Sequence, residues 1–133
     1  MQEDVLNNKV LPESADIVVS SFGLKTFNTT QLARLAHETA RILKQNGTFS
    51  FVEISVPPNR FLKFFYLIYL KWLIPIIGFL FQGNSDDYKM LGIYTIGFGS
   101  CKKFHEMLKK EGLESNYEKL FFGCATVTWG RKI

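Results

Sequence analysis

Short apolar runs and a helical pattern alternate along the first part of the chain. Residues 16–23 are an apolar, β-branched run ending in glycine, typical of a strand buried on both faces of a parallel sheet. Residues 30–44 repeat apolar positions at helical spacing, and Asn46-Gly47 favours a turn after them. Residues 48–55 form a second run. The order strand, helix, strand predicts a right-handed crossover between parallel strands, and the predicted fold class is α/β.

Residues 61–81 form a long apolar stretch that admits two interpretations. Its length suits a transmembrane helix. However, Arg60, Lys63 and Lys71 fall within an arc of roughly 80° on a helical wheel, which makes a polar stripe. Two central lysines would each cost about 3 kcal/mol on insertion into a bilayer. The pattern therefore favours an amphipathic helix, with a transmembrane span as the alternative.

The last third of the chain predicts two helices and a hairpin. One helix begins near Tyr88, and the other covers residues 100–110 and ends at Gly112. Residues 113–131 contain two strand-like runs that flank Phe122-Gly123, which predicts a C-terminal hairpin. The inward positions of the second helix are Phe104, Met107 and Leu108.

Composition and charge exclude several classes of protein. A chain of 133 residues is long enough for one domain, here residues 1–133, and too short for two. The net charge of +4 comes from scattered Lys and Arg, so nucleic-acid binding is not expected. Cys101 and Cys124 lack the spacing of a zinc site or a disulfide framework. Residues 1–8 do not have the pattern of an export signal, and a cytoplasmic location is expected.

Few residues stand out as candidates for chemistry. His37 and His105 lie off the apolar faces of their helices and are expected at the surface, with no metal site. Ser20, Ser21, Phe22 and Gly23 are at the carboxyl end of a predicted parallel strand, where ligands bind in α/β sheets. Glu53 lies near the end of the next strand, and two roles stay open for it: a hydrogen bond to a neighbouring loop, or a contact to a substrate.

Several motifs in order resemble those of one enzyme family. Residues 4–23, DVLNNKVLPESADIVVSSFG, resemble the middle motifs of class I S-adenosylmethionine-dependent methyltransferases. Residues 41–47, RILKQNG, resemble their R-x-L-K-P-G-G turn before the fifth strand. The resemblance covers nearly the whole chain and is most specific to the ubiquinone and menaquinone biosynthesis C-methyltransferases. The further motifs that match are Phe22-Gly23-Leu24, residues 53–57, Leu73-Ile74-Pro75 with Gly78, Tyr88 with Leu91, and Phe122-Gly123.

This resemblance implies a fold, a cofactor and a set of site residues. The fold would be the C-terminal half of a Rossmann-like doubly wound sheet with a C-terminal antiparallel hairpin. Asp4 and Val5 would lie by the adenine of S-adenosylmethionine, and Ser21 by its methionine part, with Phe22 and Gly23 alongside. An apolar or quinone-like acceptor would be methylated directly, and no residue is assigned as acid or base. The substrate pocket would comprise Leu24, Lys25, Glu53, Phe65, Tyr69 and Tyr88.

The chain departs from the family pattern in two ways. Lys25-Thr26 stands where the quinone enzymes usually carry Arg-Asn beside the substrate ring, and lysine cannot reproduce the planar fork of arginine. The three N-terminal strands and the glycine-rich loop are also not found, so cofactor binding by this chain alone is expected to be weak or absent. Residues 17–21 would then form a bare apolar edge, which predicts a homodimer, a swapped assembly or a longer protein.

A non-catalytic role is the alternative hypothesis. In it, the chain is a methyltransferase-like interaction module that contacts a membrane surface through residues 61–81, which would place it peripherally at a membrane. In the enzyme hypothesis, the same residues form the wall of the acceptor pocket.

Overall fold

The computed structural model describes residues 2–82 and 86–133, which form four strands and five helices. The strands are β1 (Ala15–Ser21), β2 (Leu43–Ile54), β3 (Leu113–Leu120) and β4 (Ala125–Lys132). The helices are α1 (Thr29–Ile42), α2 (Arg60–Ile68), α3 (Ile74–Gln82), α4 (Asp86–Phe98) and α5 (Lys102–Lys110).

The four strands form one sheet in the order β1-β2-β4-β3. β1 and β2 are parallel and connected through α1, whereas β4 is antiparallel to both of its neighbours. The β3–β4 hairpin closes with Leu120 opposite Ala125. These observations confirm the α/β class, the crossover and the C-terminal hairpin. They also place β1 at one edge of the described sheet, where its outer side has no strand partner.

The crossover helix ends earlier, and the second strand begins earlier, than the sequence predicts. α1 ends at Ile42, and the chain enters β2 directly at Leu43. The pairing with β1 jumps from Leu43 to Thr48, so the residues between them bulge out of the ladder. Asn46 adopts a positive φ of 65° inside this bulge. A Cβ atom on Gly47 would lie 2.9 Å from the Lys44 carbonyl oxygen, which explains why glycine occupies this position.

The hydrophobic core lies on one face of the sheet. Phe49 and Phe51 of β2 point into it, and Phe51 makes an edge-on ring contact with Phe104 of α5 at 5.0 Å. Phe104 and Leu108 are fully buried and Met107 is partly buried, which confirms their predicted inward positions. α1 and α5 both pack on this face, where α1 contributes Leu32, Leu35 and Ala36.

Contrary to expectation, β1 is buried on one face only. Val18 packs against the core, but Ile17 is 65% exposed and Val19 is 70% exposed on the opposite face. The prediction of burial on both faces is therefore wrong for the described chain. The physical reason is that α1 and α5 lie on the same side of the sheet, so among the described residues no helix shields the other side of β1.

Residues 60–82 form one continuous helix that contains a wide turn. α2 leads into a π-helical turn, Tyr69–Leu73, which leads directly into α3. The buried and half-buried residues of this helix include a row at a spacing of four residues: Leu62, Tyr66, Leu70, Ile74 and Gly78. In a regular α-helix, residues four apart differ in direction by about 40° around the helix axis, so such a row would wind around the helix. The π turn accommodates one additional residue, which offsets part of this winding. α2 and α3 therefore keep the same side against the protein.

The outward side of this helix is more apolar than the predicted polar stripe implies. Phe61, Phe64, Trp72 and Phe79 are each more than 60% exposed. By length and composition the segment Arg60–Leu80 could cross a membrane: its mean hydropathy is 1.6, and 17% of it is buried in the fold. One side of the helix thus packs on the protein, while the other presents aromatic side chains in addition to the predicted cations.

The two histidines differ in their surroundings. His37 is exposed as expected, and its Nδ1 atom lies 3.1 Å from a Glu111 carboxylate oxygen. The side chain of His105 is only 13% exposed, and its Nδ1 atom lies 2.8 Å from the Ser115 hydroxyl. The expectation of a surface position is therefore wrong for His105, because β3 packs beside α5 and covers the ring.

A buried ionic cluster ties the N-terminal segment to α1. Glu38 is 3% exposed, and one of its carboxylate oxygens accepts hydrogen bonds from Arg41 at 2.7 Å and from the Asn8 side chain at 3.1 Å. Arg41 also donates to the Val10 carbonyl oxygen at 2.7 Å. The hydrogen bond from Arg41 is the main cause that lowers the pKa of Glu38 below its ordinary value.

Replacing Glu38 by Gln should lower the free energy of unfolding at neutral pH by about 1.5–3 kcal/mol, the range for hydrogen bonds to charged groups. Because the folded-state pKa of Glu38 is lowered, the stabilisation is present above the unfolded-state pKa of about 4.5 and is lost as the pH falls through the folded-state value. The Glu38→Gln variant should therefore lose less stability than the parent on acidification. Urea unfolding at neutral pH and near pH 3 measures both effects. Glu106→Gln, at a half-exposed side chain, is the control and should change stability by less than about 0.5 kcal/mol.

Candidate functional site

The carboxyl end of β1 leads into a strained turn. The Phe22 N–H donates to the Val52 carbonyl oxygen at 2.9 Å, so Phe22 extends the pairing with β2 by one residue. Its φ of 61° is rare for a residue with a side chain, and non-glycine residues with such values often lie at functional sites. The Phe22 ring is 53% exposed. Leu24 then starts a short 3₁₀ turn, Leu24–Thr26, with its side chain in the core.

A buried ion pair connects this turn to β2. The Lys25 ammonium lies 3.0 Å from a carboxylate oxygen of Glu53, and their side chains are 9% and 0% exposed. Glu53 also accepts hydrogen bonds from the backbone N–H groups of Lys25 at 3.1 Å and Ile54 at 2.7 Å. The same ammonium donates to the Phe22 carbonyl oxygen at 2.6 Å. Glu53 therefore accepts hydrogen bonds from the neighbouring loop. The Lys25 ammonium binds a carboxylate and a carbonyl oxygen of the protein itself.

A second hydrogen-bonded group lies next to Glu53 in the interior. The hydroxyl groups of Ser55 and Thr126 are 2.6 Å apart, and the Thr126 hydroxyl accepts a hydrogen bond from the Cys101 N–H at 2.9 Å. Burial raises the pKa of the Cys101 thiol to about 11. The thiol is therefore protonated at neutral pH, which excludes Cys101 as a thiolate nucleophile.

Tyr66 lies at the boundary between the long helix and the sheet. Its hydroxyl group donates a hydrogen bond to the Cys124 carbonyl oxygen at 3.3 Å. Burial raises the pKa of the Tyr66 phenol to about 12, so the phenol is a hydrogen-bond donor and not a base at neutral pH. Tyr66 is not among the residues predicted from the sequence. The spacing of four that it shares with Leu62 and Leu70 was the signal that this residue, rather than Phe65, faces the protein.

A cavity of about 300 Å³ lies between β1 and α1. Val5 and Gly23, two of the predicted cofactor residues, both line it, so the fold brings the N-terminal segment to the turn after β1. Ser20 also contributes to the wall, and a Cβ atom on Gly23 would lie 3.3 Å from its hydroxyl oxygen. The rest of the lining is mainly apolar.

The other three predicted cofactor residues are exposed. Ser21 and Phe22 lie beside Gly23 at the turn after β1. Asp4 accepts a hydrogen bond from the Leu6 N–H at 2.9 Å. A carboxylate has further acceptor positions, so Asp4 can still bind an amine. These five residues could therefore border an adenine nucleoside and its amino-acid chain.

The predicted substrate residues differ in their surroundings. Lys25 and Glu53 are paired with each other, and Leu24 is 1% exposed in the core. Phe65 and Tyr69 are 65% and 45% exposed on the long helix, and among the described residues no hydrogen bond links them to the ion pair. Tyr88 lies in α4, but its side chain falls outside the described part of the chain.

Comparisons with known proteins connect this site to a family. The model of the ubiE/COQ5 methyltransferase family matches residues 4–132. A demethylmenaquinone methyltransferase from Thermotoga maritima is 33% identical over 96% of this chain and 55% of its own length. The mitochondrial 2-methoxy-6-polyprenyl-1,4-benzoquinol methylase of Dictyostelium discoideum is 33% identical over 85% of this chain and 36% of its own length. The chain thus spans about half, or less, of these curated relatives.

Solved structures share the fold at low sequence identity. A SAM-dependent methyltransferase from Methanosarcina mazei has a TM-score of 0.61 and 16% identity, over 98% of this chain and 65% of its own. Human N-acetylserotonin methyltransferase in complex with SAM has a TM-score of 0.58 and 15% identity, over 99% of this chain and 33% of its own. These similarities confirm the predicted fold class.

Replacing Lys25 by Met should destabilise the fold by about 3–5 kcal/mol, because the Glu53 carboxylate would stay buried without its cation. Lys25→Arg keeps a cation and should cost less. The double variant Lys25→Met, Glu53→Gln removes both charges and should recover most of the loss. Urea unfolding of the parent, of the single variants Lys25→Met and Glu53→Gln, and of the double variant gives the coupling energy. A loss in the double variant equal to the sum of the two single losses would show that the ion pair does not hold the turn.

Proposed function

This chain belongs to the ubiE/COQ5 methyltransferase family, and from that membership we propose that it forms the C-terminal part of an S-adenosylmethionine-dependent methyltransferase. The proposed acceptor is a small, apolar, quinone-like molecule. The observation that carries the proposal is the family match over residues 4–132. The names of two relatives add support for the acceptor, since they specify demethylmenaquinone and a polyprenyl benzoquinol.

Each candidate residue has a proposed task in binding. S-adenosylmethionine, when bound, would supply an electrophilic methyl group. Asp4 and Val5 would border the adenine, since a carboxylate can accept a hydrogen bond from an exocyclic amine. Ser21 would lie by the methionine part, with Phe22 and Gly23 alongside. The contribution of the chain to catalysis would be to hold donor and acceptor in line, which by itself can supply a large part of the rate enhancement.

The Lys25–Glu53 pair would position the turn rather than react. Its atoms are bound to each other and to the backbone around Phe22, so the pair fixes the residues that would border the cofactor. Lys25 stands where the resembling enzymes usually carry arginine, and its ammonium bonds inward. The Leu24 side chain lies in the core and that of Phe65 lies on the outward side of the long helix, so acceptor contacts are proposed for Tyr69 and Tyr88. Such contacts would require an acceptor that reaches between the turn and the long helix.

The proposal predicts that residues 4–132 can replace the matching segment of the Thermotoga maritima relative. The chimera should bind S-adenosylhomocysteine and transfer a labelled methyl group from S-adenosylmethionine to a demethylated prenylquinol. Calorimetric titration and extraction of labelled product measure the two steps. A folded chimera that binds the nucleoside but methylates no prenylquinol would contradict the acceptor class. A folded chimera that does not bind it would contradict the cofactor assignment.

The isolated chain is the control for the chimera. Its described residues provide only a rim for the cofactor, so its dissociation constant for S-adenosylhomocysteine should be in the millimolar range. Micromolar binding by the isolated chain would contradict the proposal that other segments complete the site. The alternative, a non-catalytic module, predicts no binding in either protein.

We also propose that the exposed edge at residues 17–21 is covered in the working protein by another strand, from a second copy in a homodimer, from a swapped segment or from a longer chain. Exposed apolar edges recruit partners, and Ile17 and Val19 are mostly exposed here. Sedimentation of the isolated chain at micromolar concentration should therefore show a dimer. Ile17→Lys plus Val19→Lys should shift it to a monomer, whereas Lys109→Glu plus Lys110→Glu on α5 should not. A folded monomer of the parent chain would contradict the homodimer and the swapped assembly, and only cover by a longer chain would then remain.

A further inference from the structure

The outward side of residues 60–82 presents a continuous apolar surface. Eight of its side chains are between 43% and 82% exposed, and we call them the aromatic face: Phe61, Phe64, Phe65, Ile68, Trp72, Ile76, Phe79 and Leu80. Water-exposed apolar side chains that lie singly need no explanation, but a row of this length on one helix indicates a contact surface.

Basic side chains border this face at two grooves. Arg60 joins Phe61, Phe64 and Phe65 around one cavity of about 520 Å³. Lys71 and Lys89 flank the other, of about 600 Å³, whose apolar walls are Trp72, Pro75, Ile76, Phe79 and Leu80. Residues 60–82 contain no Asp or Glu, and Lys63 adds one more exposed cation. The nearest acids in sequence are Asp86 and Asp87 at the start of α4.

The hairpin tip adds two exposed phenylalanines beside the same helix. Phe121 and Phe122 are 78% and 87% exposed, and both have positive φ values, of 50° and 58°. The next residue, Gly123, packs against Pro58 at the start of the long helix; a Cβ atom there would lie 2.7 Å from the proline ring. The strained tip holds two large apolar side chains in solvent, where they gain little packing from the described residues, and this points to an external partner.

From these observations we propose that the aromatic face and the hairpin tip dock on the surface of an anionic lipid bilayer. Aromatic side chains bordered by lysine and arginine suit the boundary between acyl chains and headgroups, and the cations complement anionic lipids. The opposite side of the helix is held to the protein by Leu70, by Gly78 and by the Tyr66 hydrogen bond to Cys124. The helix therefore lies along the bilayer surface and does not cross it. This inference does not depend on methyltransferase activity.

The two tryptophans allow a direct test on the whole chain. Trp129→Phe leaves Trp72, on the aromatic face, as the only fluorescent tryptophan, and Trp72→Phe leaves Trp129, on the open face of the sheet. With vesicles of phosphatidylcholine and phosphatidylglycerol, Trp72 emission should shift to the blue and be quenched by brominated acyl chains. Trp129 emission should change little. Vesicles of phosphatidylcholine alone should bind much more weakly.

Matched charge variants test the electrostatic part. Lys63→Glu plus Lys71→Glu should weaken partition onto anionic vesicles roughly tenfold or more. Lys109→Glu plus Lys110→Glu, which makes the same change in net charge on α5, should alter it by less than about twofold, because those lysines lie away from the docking surface. Phe64→Ser plus Phe79→Ser, at two mostly exposed positions, should abolish the blue shift while the circular dichroism spectrum is retained.

Four outcomes would overturn the proposal. Trp72 emission that does not respond to anionic vesicles would exclude bilayer docking. If Lys63→Glu plus Lys71→Glu and Lys109→Glu plus Lys110→Glu weaken vesicle binding to the same extent, the effect of charge is non-specific. Recovery of the folded chain only in detergent would favour a transmembrane helix. If sedimentation shows that Phe64→Ser plus Phe79→Ser converts a dimer to a monomer, and vesicles do not bind the parent, the occupant of the face is a second copy of the chain.

Discussion

The buried carboxylate of Glu53 is the interaction on which the candidate site depends. A carboxylate at 0% exposure is tolerated only when its charge is compensated, and here one ammonium and two backbone N–H groups provide that compensation. Because Lys25 supplies two of the three donors, the turn after β1 is fixed against the end of β2. That constraint sends Leu24 into the core and leaves Phe22 in solvent with a left-handed backbone. The geometry of the turn after β1, where Phe22 and Gly23 lie, is thus set by one ion pair located behind it.

Much of the fold could be predicted because its signals are local. The β-branched run at residues 16–23, the helical spacing in α1 and the alternation in the C-terminal hairpin each specify an element without reference to the rest of the chain. The number of buried faces of β1, in contrast, does not follow from the residues of β1 alone. An apolar run indicates that both faces could be buried, but the positions of α1 and α5 decide how many faces are buried.

The candidate site was less predictable than the fold. The position of Ser21, Phe22 and Gly23 follows from strand order, and the structure brings Gly23 to the same cavity as Val5. The partner of Glu53 could not be inferred, since Lys25 is 28 residues away in sequence and contacts it only through the β1–β2 pairing. Tyr66, and not Phe65, faces the protein because of the phase of α2, which the position of the whole helix on the sheet decides. A helical wheel with regular geometry misassigns the phase only for residues that follow a π turn, which here are those of α3.

The π turn also makes the long helix respond to a deletion differently from place to place. Because it contains one residue more than a regular turn, deletion of one residue within Tyr69–Leu73 would convert it to ordinary α-helix and leave α3 facing the same way relative to α2. Deletion of one residue within α2 would instead rotate α3 by about 100° relative to the start of the helix. Pro75 and Gly78 would then leave the interior, and bulkier side chains would replace them against the protein. In the divergence of such sequences, the number of residues in this segment would therefore be expected to change at the π turn and to stay constant elsewhere.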